Sequence, residues 1–376
     1  MTAGTPAVRP RNRRQLIVAA AGRAFSERGY HAASMEEIAA AVGITAAALY
    51  RHFPNKYALF TECANVMADR LVAALAPPGA PLADVLRAVA RVTVAHRASG
   101  GLYRWESRYL ERADRRQLSE KFAQVVARVT EAVQPSPDAD LRAVAALGAI
   151  GSVTMHHTSI AQRRAEDLLT EAAMRVAAAS SSAAPSVELP AQPAPKTRRA
   201  EIIAAAVPLF DRDGFAAVTN ARIAEAVGLV PSALYRHFPN KAEILAAACL
   251  QAAGLLAQAV ERNLHGTTGS RALPLLAATY VAYSFEHTAL TNVAAAEVGG
   301  LPAALQQPLI QAQREHIAVW ERELRLARPE LDPHQARVLV HAGFGVVVET
   351  GRRLRWRDGP EHRAAVTAFL LSALGF

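Results

Sequence analysis

Ala48–Lys56 reads ALYRHFPNK, and the same nine residues recur unchanged at Ala233–Lys241. The spacing is 185 residues and it holds outward: Phe25 pairs with Phe210, Gly29 with Gly214, Ile38 with Ile223 and Gly43 with Gly228. A self-similarity decides the architecture before any local reading, and a period this long exceeds that of solenoid repeats. In a chain of 376 residues it is the length of a domain, so the sequence reads as two copies of one protein joined end to end.

Around each copy the pattern is helical. A first helix is expected from about Arg13 to Arg28, with Leu16, Ile17, Ala20, Ala24 and Phe25 on one face and Gly29 ending it. A second opens at Ser34, where Ser34-Met35-Glu36-Glu37 forms a capping box. Gly43 supplies a turn, Thr45 caps a third helix buried through Leu49 and Phe53, and Pro54-Asn55 ends it before a fourth helix near Lys56. The second copy departs in three places. Val230-Pro231 stands for Thr45-Ala46, Arg222 for Glu37, and Pro208 lies inside the first helix, where a proline is expected to bend it or remove one backbone bond.

The remainder predicts an all-α protein. Hydrophobic residues make up 51%, aromatics only 6%, and no β-branched run bounded by turns stands out as a strand. Ser180–Pro195, SSSAAPSVELPAQPAP, reads as a semi-rigid linker. The expected domains are a unit of three short helices with its basic arm at 9–60, a helical unit at 61–179, the linker at 180–195, a second such three-helix unit at 196–245 and a second helical unit at 246–376. Helix breaks are expected at Gly100-Gly101, Pro135–Asp138 and Gln162-Arg163, and again near Thr291, Gly299-Gly300, Arg328-Pro329 and Asp358–Pro360. The apolar helices Leu141–Ile160 with Glu166–Ala178, and Gln335–Leu354 with Arg363–Leu374, are expected to pair the two helical units as a four-helix bundle.

Two helices joined at a glycine and braced by a third form a helix-turn-helix, whose second helix presents its first residues to base edges in the major groove. The net charge is +9, and Met1–Phe60 carries eight Lys and Arg against three Glu, which suits a phosphate partner. The basic arm (Arg9, Arg11, Arg13 and Arg14, with Lys196, Arg198 and Arg199 as its counterpart), helix 1 ending at Gly29-Tyr30, then IAAAVGIT and LYRHFPNK, resembles the N-terminal domain of the tetracycline-repressor family of bacterial regulators over about 47 residues in each half. The resemblance implies a three-helix DNA-binding unit followed by a larger ligand-binding and dimerisation unit. It also implies a double-stranded DNA operator, an unidentified small-molecule effector that releases it, no cofactor and no catalysis.

Carried over by position, Thr45, Ala46, Ala47, Tyr50, Arg51 and His52 are expected to face DNA, with Arg13, Ser34 and Lys56 at phosphates. In the second copy the set is Val230, Pro231, Ser232, Tyr235, Arg236 and His237, with Arg198, Thr219, Arg222 and Lys241 at the backbone. Packing on the first helix is the other reading for Tyr50 and Tyr235. Effector contacts are sought at Tyr103, Trp105, Glu106 and Tyr109 in the first half and at Tyr283, Glu297, Trp320, His341 and Glu349 in the second, where core packing is at least as well supported. His156-His157 are adjacent on the chain and point apart, so no metal is expected. Cys63 and Cys249 read as buried hydrophobes rather than redox sensors. The apolar stretch Ile244–Val260 reads as a buried helix rather than a membrane span. No phosphate-binding glycine loop, zinc-protease or nucleophile-elbow motif is present. The sequence therefore predicts a cytoplasmic, ligand-responsive repressor, not an enzyme, acting as a single-chain pseudo-dimer, with a further homodimer compatible. The competing reading is a helical ligand-binding scaffold with weak or no specific DNA binding.

Overall fold

The computed structural model describes residues 12–100, 102, 109–180, 184–191 and 194–376, and every regular element among them is helical. In chain order the helices are α1 (Arg13–Ala32), α2 (Met35–Ala41), α3 (Ala46–Tyr50), α4 (Lys56–Ala74), α5 (Leu82–Ala95), α6 (Arg97–Gly100), α7 (Arg112–Ala132), α8 (Ala139–Gly151) and α9 (Gln162–Ala178). The second half follows with α10 (Arg198–Asp213), α11 (Asn220–Ala226), α12 (Pro231–Leu234), α13 (Lys241–Leu264), α14 (Ala272–Glu286), α15 (Thr288–Glu297), α16 (Ala303–Ala327), α17 (Pro333–Arg353) and α18 (Pro360–Leu374). They form two compact units, one of Met1–Ala74 with His96–Gln124, the other of Leu75–Ala95 with Val125–Phe376.

The first unit contains the first helix-turn-helix. Ile17, Ala21, Ala24 and Phe25 of α1 bury against Ile38 of α2, Leu49 and Phe53 around α3, and Leu59 and Phe60 of α4. Leu16 departs from expectation. It lies 42% exposed, because the buried stripe is centred on Ile17 and Ala21. Gly29 breaks α1 with φ 78° and ψ 166°, and Gly214 repeats this at the end of α10 with φ 82°. A side chain there would meet the left-handed steric penalty, so both copies require glycine.

The second unit contains the other helix-turn-helix and the helices α8, α9, α17 and α18. Its α10 is continuous through Pro208. Pro208 and Ala204 both lie on the exposed face, so the carbonyl that loses its i+4 donor is open to water and the helix survives. The linker has no regular secondary structure across 184–191 and is fastened to α13: the Glu188 N–H donates to Asn263 Oδ1 at 3.1 Å, and Asn263 Nδ2 donates to the Glu188 carbonyl at 2.9 Å. One helix among the described residues, Lys241–Leu264, is long and apolar enough to cross a membrane, and 39% of its apolar window is buried. The buried part includes Ile244, Leu245, Ala248, Cys249, Ala259 and Val260.

Helix α8 lies against α17 where two glycines meet. A Cβ added to Gly345 would stand 2.3 Å from the Gly148 carbonyl oxygen and 2.9 Å from Ser152 Cβ, and one added to Gly148 would stand 2.7 Å from the Gly345 oxygen. Backbone therefore touches backbone at this crossing. Around it, Arg353 Nε donates to Asp140 Oδ2 at 2.7 Å, and Arg175 of α9 donates to the Ser372 and Ala373 carbonyls that end α18, at 3.0 and 3.2 Å. Leu168 and Ala172 of α9 share one apolar core with Leu339, Val347, Leu370 and Leu374. Because neither backbone can yield, Gly345→Leu is expected to destabilise the second unit by about 1–3 kcal/mol or more. A denaturant midpoint equal to that of the wild type would show the crossing to be loose.

The expected helix Leu141–Ile160 is shorter than its apolar pattern. It ends at Gly151 and tightens into a 3-10 turn over Ser152–Thr154. The hydroxyls of Ser152 and Thr154 bond back to the Ala149 and Gly151 carbonyls at 2.7 and 2.8 Å, which competes with continuation of the helix. The break thus falls before Gln162, which starts α9. The break expected near Thr291 falls instead between Glu286 and Thr288.

Candidate nucleic-acid interface

Both helix-turn-helix units are set by local chemistry. Ser34 Oγ accepts the Glu37 N–H at 3.1 Å while the Glu37 carboxylate accepts the Ser34 N–H at 3.3 Å, closing the capping box. Thr219 keeps the first half of that motif, accepting from the Arg222 N–H at 3.2 Å. Thr45 caps α3 by accepting from Ala48 at 3.2 Å, whereas Val230 offers α12 no side-chain cap and Pro231 fills the first helical position. The substitution of Arg222 for Glu37 is balanced at the end of the preceding helix. Arg28 pairs with Glu37 at 2.6 Å in the first copy, and in the second the same two positions hold Asp213 and Arg222, paired at 2.9 Å with the charges exchanged. The hydrogen bond from Arg28 and those from Ser34 hold the Glu37 carboxyl below its usual range; Arg212, then Arg222, do so for Asp213.

The third helix of each unit is braced from behind by an arginine of the basic arm. Arg14 donates to the His52 carbonyl at 2.8 Å, lies 4.1 Å over the Phe53 ring and pairs with Glu62 at 3.0 Å. Arg199 donates to the His237 carbonyl at 2.6 Å and lies 3.8 Å over Phe238. These bonds satisfy a carbonyl at the C-terminal end of the reading helix, which favours a cation. Lys56 and Lys241 have an inward role as well. Lys56 Nζ donates to the His31 carbonyl at 3.0 Å and sits 4.9 Å over the Tyr30 ring. Lys241 Nζ donates to the Phe215, Ala216 and Val218 carbonyls at 2.6, 3.0 and 3.0 Å. Burial lowers the pKa of both ammonium groups. Sequence reasoning saw the repeated lysine and arginine but not these partners, since the carbonyls they bind lie 23–38 residues away.

The outward surface then consists of Thr45, Ala47, Tyr50, Arg51 and His52 in the first copy, with Ala46 half-buried. In the second it consists of Val230, Pro231, Ser232, Tyr235 and Arg236, with His237 half-buried. Tyr50 is 46% exposed and Tyr235 54%, so neither packs onto the first helix. Arg51 and Arg236 make no ion pair among the described residues. Arg13 is half-buried, and Arg198 pairs with Glu201 at 2.6 Å. Arg9 and Arg11 lie outside the described residues.

The residues proposed for effector contact do not converge on one place. Tyr103, Trp105 and Glu106 lie outside the described residues. Tyr109 stacks on Tyr30 at 5.4 Å, against the core of the first head. Tyr283 donates to the Ala252 carbonyl at 2.8 Å, and desolvation raises its phenol. Trp320 and His341 share an aromatic cluster through Phe344, at 5.4 and 6.0 Å, and His341 stacks on His156 at 4.1 Å. Glu349 lies 3.6 Å from Arg352, and the charge of Glu297 acts on Lys241. A groove of about 570 Å³ on the first unit, bounded by Arg14, His52, Tyr57, Asp114 and Lys121, was not foreseen. Its cations are already paired, Arg14 with Glu62 and Lys121 with Asp69. Cys63 and Cys249 are buried thiols; burial pushes Cys249 up to about 12 and Cys63 further, so neither presents a thiolate. Among the described residues no three His, Cys, Asp or Glu side chains group as metal ligands.

The sequence profile described as bacterial regulatory proteins, tetR family, matches residues 17–63 and 202–248, which are the two helix-turn-helix units with the start of α4 and α13. The HTH-type transcriptional activator FasR of Mycolicibacterium smegmatis is 42% identical over 64 residues, which span 17% of this chain and 29% of that protein. Among solved structures, a TetR-family transcriptional regulator from Bordetella parapertussis 12822 aligns at 22% identity with a TM-score of 0.42, covering 46% of this chain and 95% of that one. AibR, solved with isovaleryl coenzyme A and operator DNA, aligns at 22% identity with a TM-score of 0.37, covering 42% and 96%. With its caps, turn glycines and exposed third helices in both copies, the chain carries the tetR-family helix-turn-helix domain twice, as a tandem duplication.

Proposed function

We propose that the chain grips one double-stranded DNA operator with both heads, its two helical halves paired within the chain as a pseudo-dimer, and that it represses transcription in the cytoplasm until a small molecule releases it. The observation that carries this reading is the doubled Tyr–Arg–His surface, Tyr50-Arg51-His52 and Tyr235-Arg236-His237. Each is held by the same arginine bond to the histidine carbonyl. The arginines at the surface would meet phosphates, and the first residues of α3 and α12 would meet bases. The contact of α8 with α17 at Gly148 and Gly345 supports pairing within one chain.

Release would travel through the helices that touch a head. Val293, Leu301 and Leu309 lie in the apolar core of the second head with Phe210 and Phe238, and Asn292 donates to Asp211 at 3.3 Å. An effector that favoured another position of α15 and α16 would shift that head. A gel-shift titration with DNA flanking the chain's own gene, against random competitor, tests the reading. Specific retention at one chain per duplex is expected, and equal competition by random DNA would leave only a ligand-binding scaffold. A reporter assay decides the direction of control, since the relative FasR is called an activator.

A further inference from the structure

Resting on that two-headed reading, we propose that the heads recognise unlike half-sites, so that the cognate duplex is asymmetric, and that the second half-site is read by apolar contact of Val230 and Pro231 with thymine methyl groups. The frames of the two heads are alike. The arginine that braces the reading helix, the lysine that ties the turn before α2 or α11, and the hydroxyl that caps α2 or α11 recur in both. The reading residues are not alike. Thr45 brings a hydroxyl and a methyl, and its oxygen already accepts the Ala48 N–H; Ala46 and Ala47 bring methyl groups alone. In the second head an isopropyl group and a pyrrolidine ring stand at the same places, followed by the hydroxyl of Ser232.

Val230 is 63% exposed, the most exposed large hydrophobic side chain among the described residues, and caps nothing. In the major groove the one apolar mark a base pair presents is the thymine C5 methyl. A branched side chain and a proline at the start of a reading helix have no hydrogen bond to offer and fit that mark. The tyrosines differ as well. Tyr235 Oη accepts from Asn220 Nδ2 at 3.2 Å, whereas the corresponding place beside Tyr50 holds Met35, which is buried in the core. The phenol is thus oriented in the second head, while that of Tyr50 makes no hydrogen bond among the described residues.

The test is selection of bound duplexes from random DNA by the full chain, followed by binding to the selected site with uracil replacing thymine in one half at a time. Two unlike halves are expected. Loss of one contacted methyl in the second half should weaken binding about 3- to 5-fold. The variant Val230→Thr, Pro231→Ala, Ser232→Ala copies the first head on a frame that already accepts those residues. It should select a palindrome of the first half-site and lose the original second-half preference, with an unchanged melting curve. A perfect palindrome from the wild type, or an unaltered profile from the variant, would overturn the asymmetry. Indifference of the second half to uracil would overturn the methyl contact. Failure of the folded wild-type chain to enrich any sequence would instead overturn the operator reading on which the inference stands.

Discussion

Affinity for DNA is expected to fall about 10³-fold between roughly 50 and 200 mM salt, if about six phosphates are neutralised. The counterion-release slope is about −0.9 per phosphate, so six contacts give a logarithmic slope near −5. The cations divide into two groups, and the salt slope separates them. Arg51, Arg236 and Lys196 are exposed and carry no ion pair among the described residues, so each alanine substitution should lower affinity and flatten the slope by about one. Arg14 and Arg199 donate to the carbonyls that end the reading helices. Their substitution by alanine should lower affinity by loosening α3 or α12 and leave the slope nearly unchanged. Filter binding or fluorescence anisotropy over a salt series reads both quantities. A flat salt response of the wild type would remove the phosphate role from the arms altogether.

Acid is expected to weaken the second unit well before its carboxylates titrate. His341 is buried and His316 half-buried, and desolvation brings both down to about 4; for His341 the charge of Arg337 adds to this. Geometry agrees for His316, whose Nε2 accepts the Trp320 indole N–H at 3.0 Å and so must carry a lone pair. His341 stacks on His156 at 4.1 Å with an interplanar angle of 13°. The folded pKa lies below the unfolded one, so the unfolded chain takes up protons that the folded chain refuses. Nothing is lost above the unfolded value of about 6.5; stability then falls as pH drops, by about 1.4 kcal/mol per unit for each ring, until both rings protonate near 4. From pH 7 to 5 the two together amount to about 4 kcal/mol. His287, also lowered by burial, acts in the same direction. Carboxylates held below their usual range, such as Asp138 and Asp358, contribute stability that is lost only at lower pH. Denaturant unfolding at pH 7, 6 and 5 measures the slope, and a variant His341→Phe should flatten it by about half. A pH-independent midpoint across this window would mean that both rings are solvated.

The interface between α8 and α17 is also uneven. With Gly148 and Gly345 taken as matching positions, Asp140 matches Arg337 and His156 matches Arg353. One side therefore closes with the Asp140–Arg353 ion pair at 2.7 Å, while the matching side has two basic residues. There Arg337 turns to Glu321 at 2.5 Å and His156 stacks on His341. A homodimer would place the same pair on both sides; a duplicated chain is free to differ.

Sequence alone determined the heads, because their structure is local. A capping hydroxyl reaches three residues ahead, a left-handed turn needs glycine where it occurs, and the apolar positions of a short helix announce their own face. Gly29, Ser34 and Gly43, with Gly214, Thr219 and Gly228 in the second copy, and Thr45 in the first are legible for that reason, and repetition at a fixed spacing confirmed the unit. Tertiary structure alone decided where the charges go. Lys56 and Arg14 look like phosphate ligands in sequence, yet each is drawn to a carbonyl that folding leaves at a helix end with no other donor. Arg222 looks like a bare cation until folding brings Asp213 beside it. The effector residues were the least legible, because a buried aromatic has the same composition and spacing whether it faces a neighbour or a cavity. Only packing distinguishes the two, and packing assembled Trp320, Phe344, His341 and His156 from positions up to 188 residues apart.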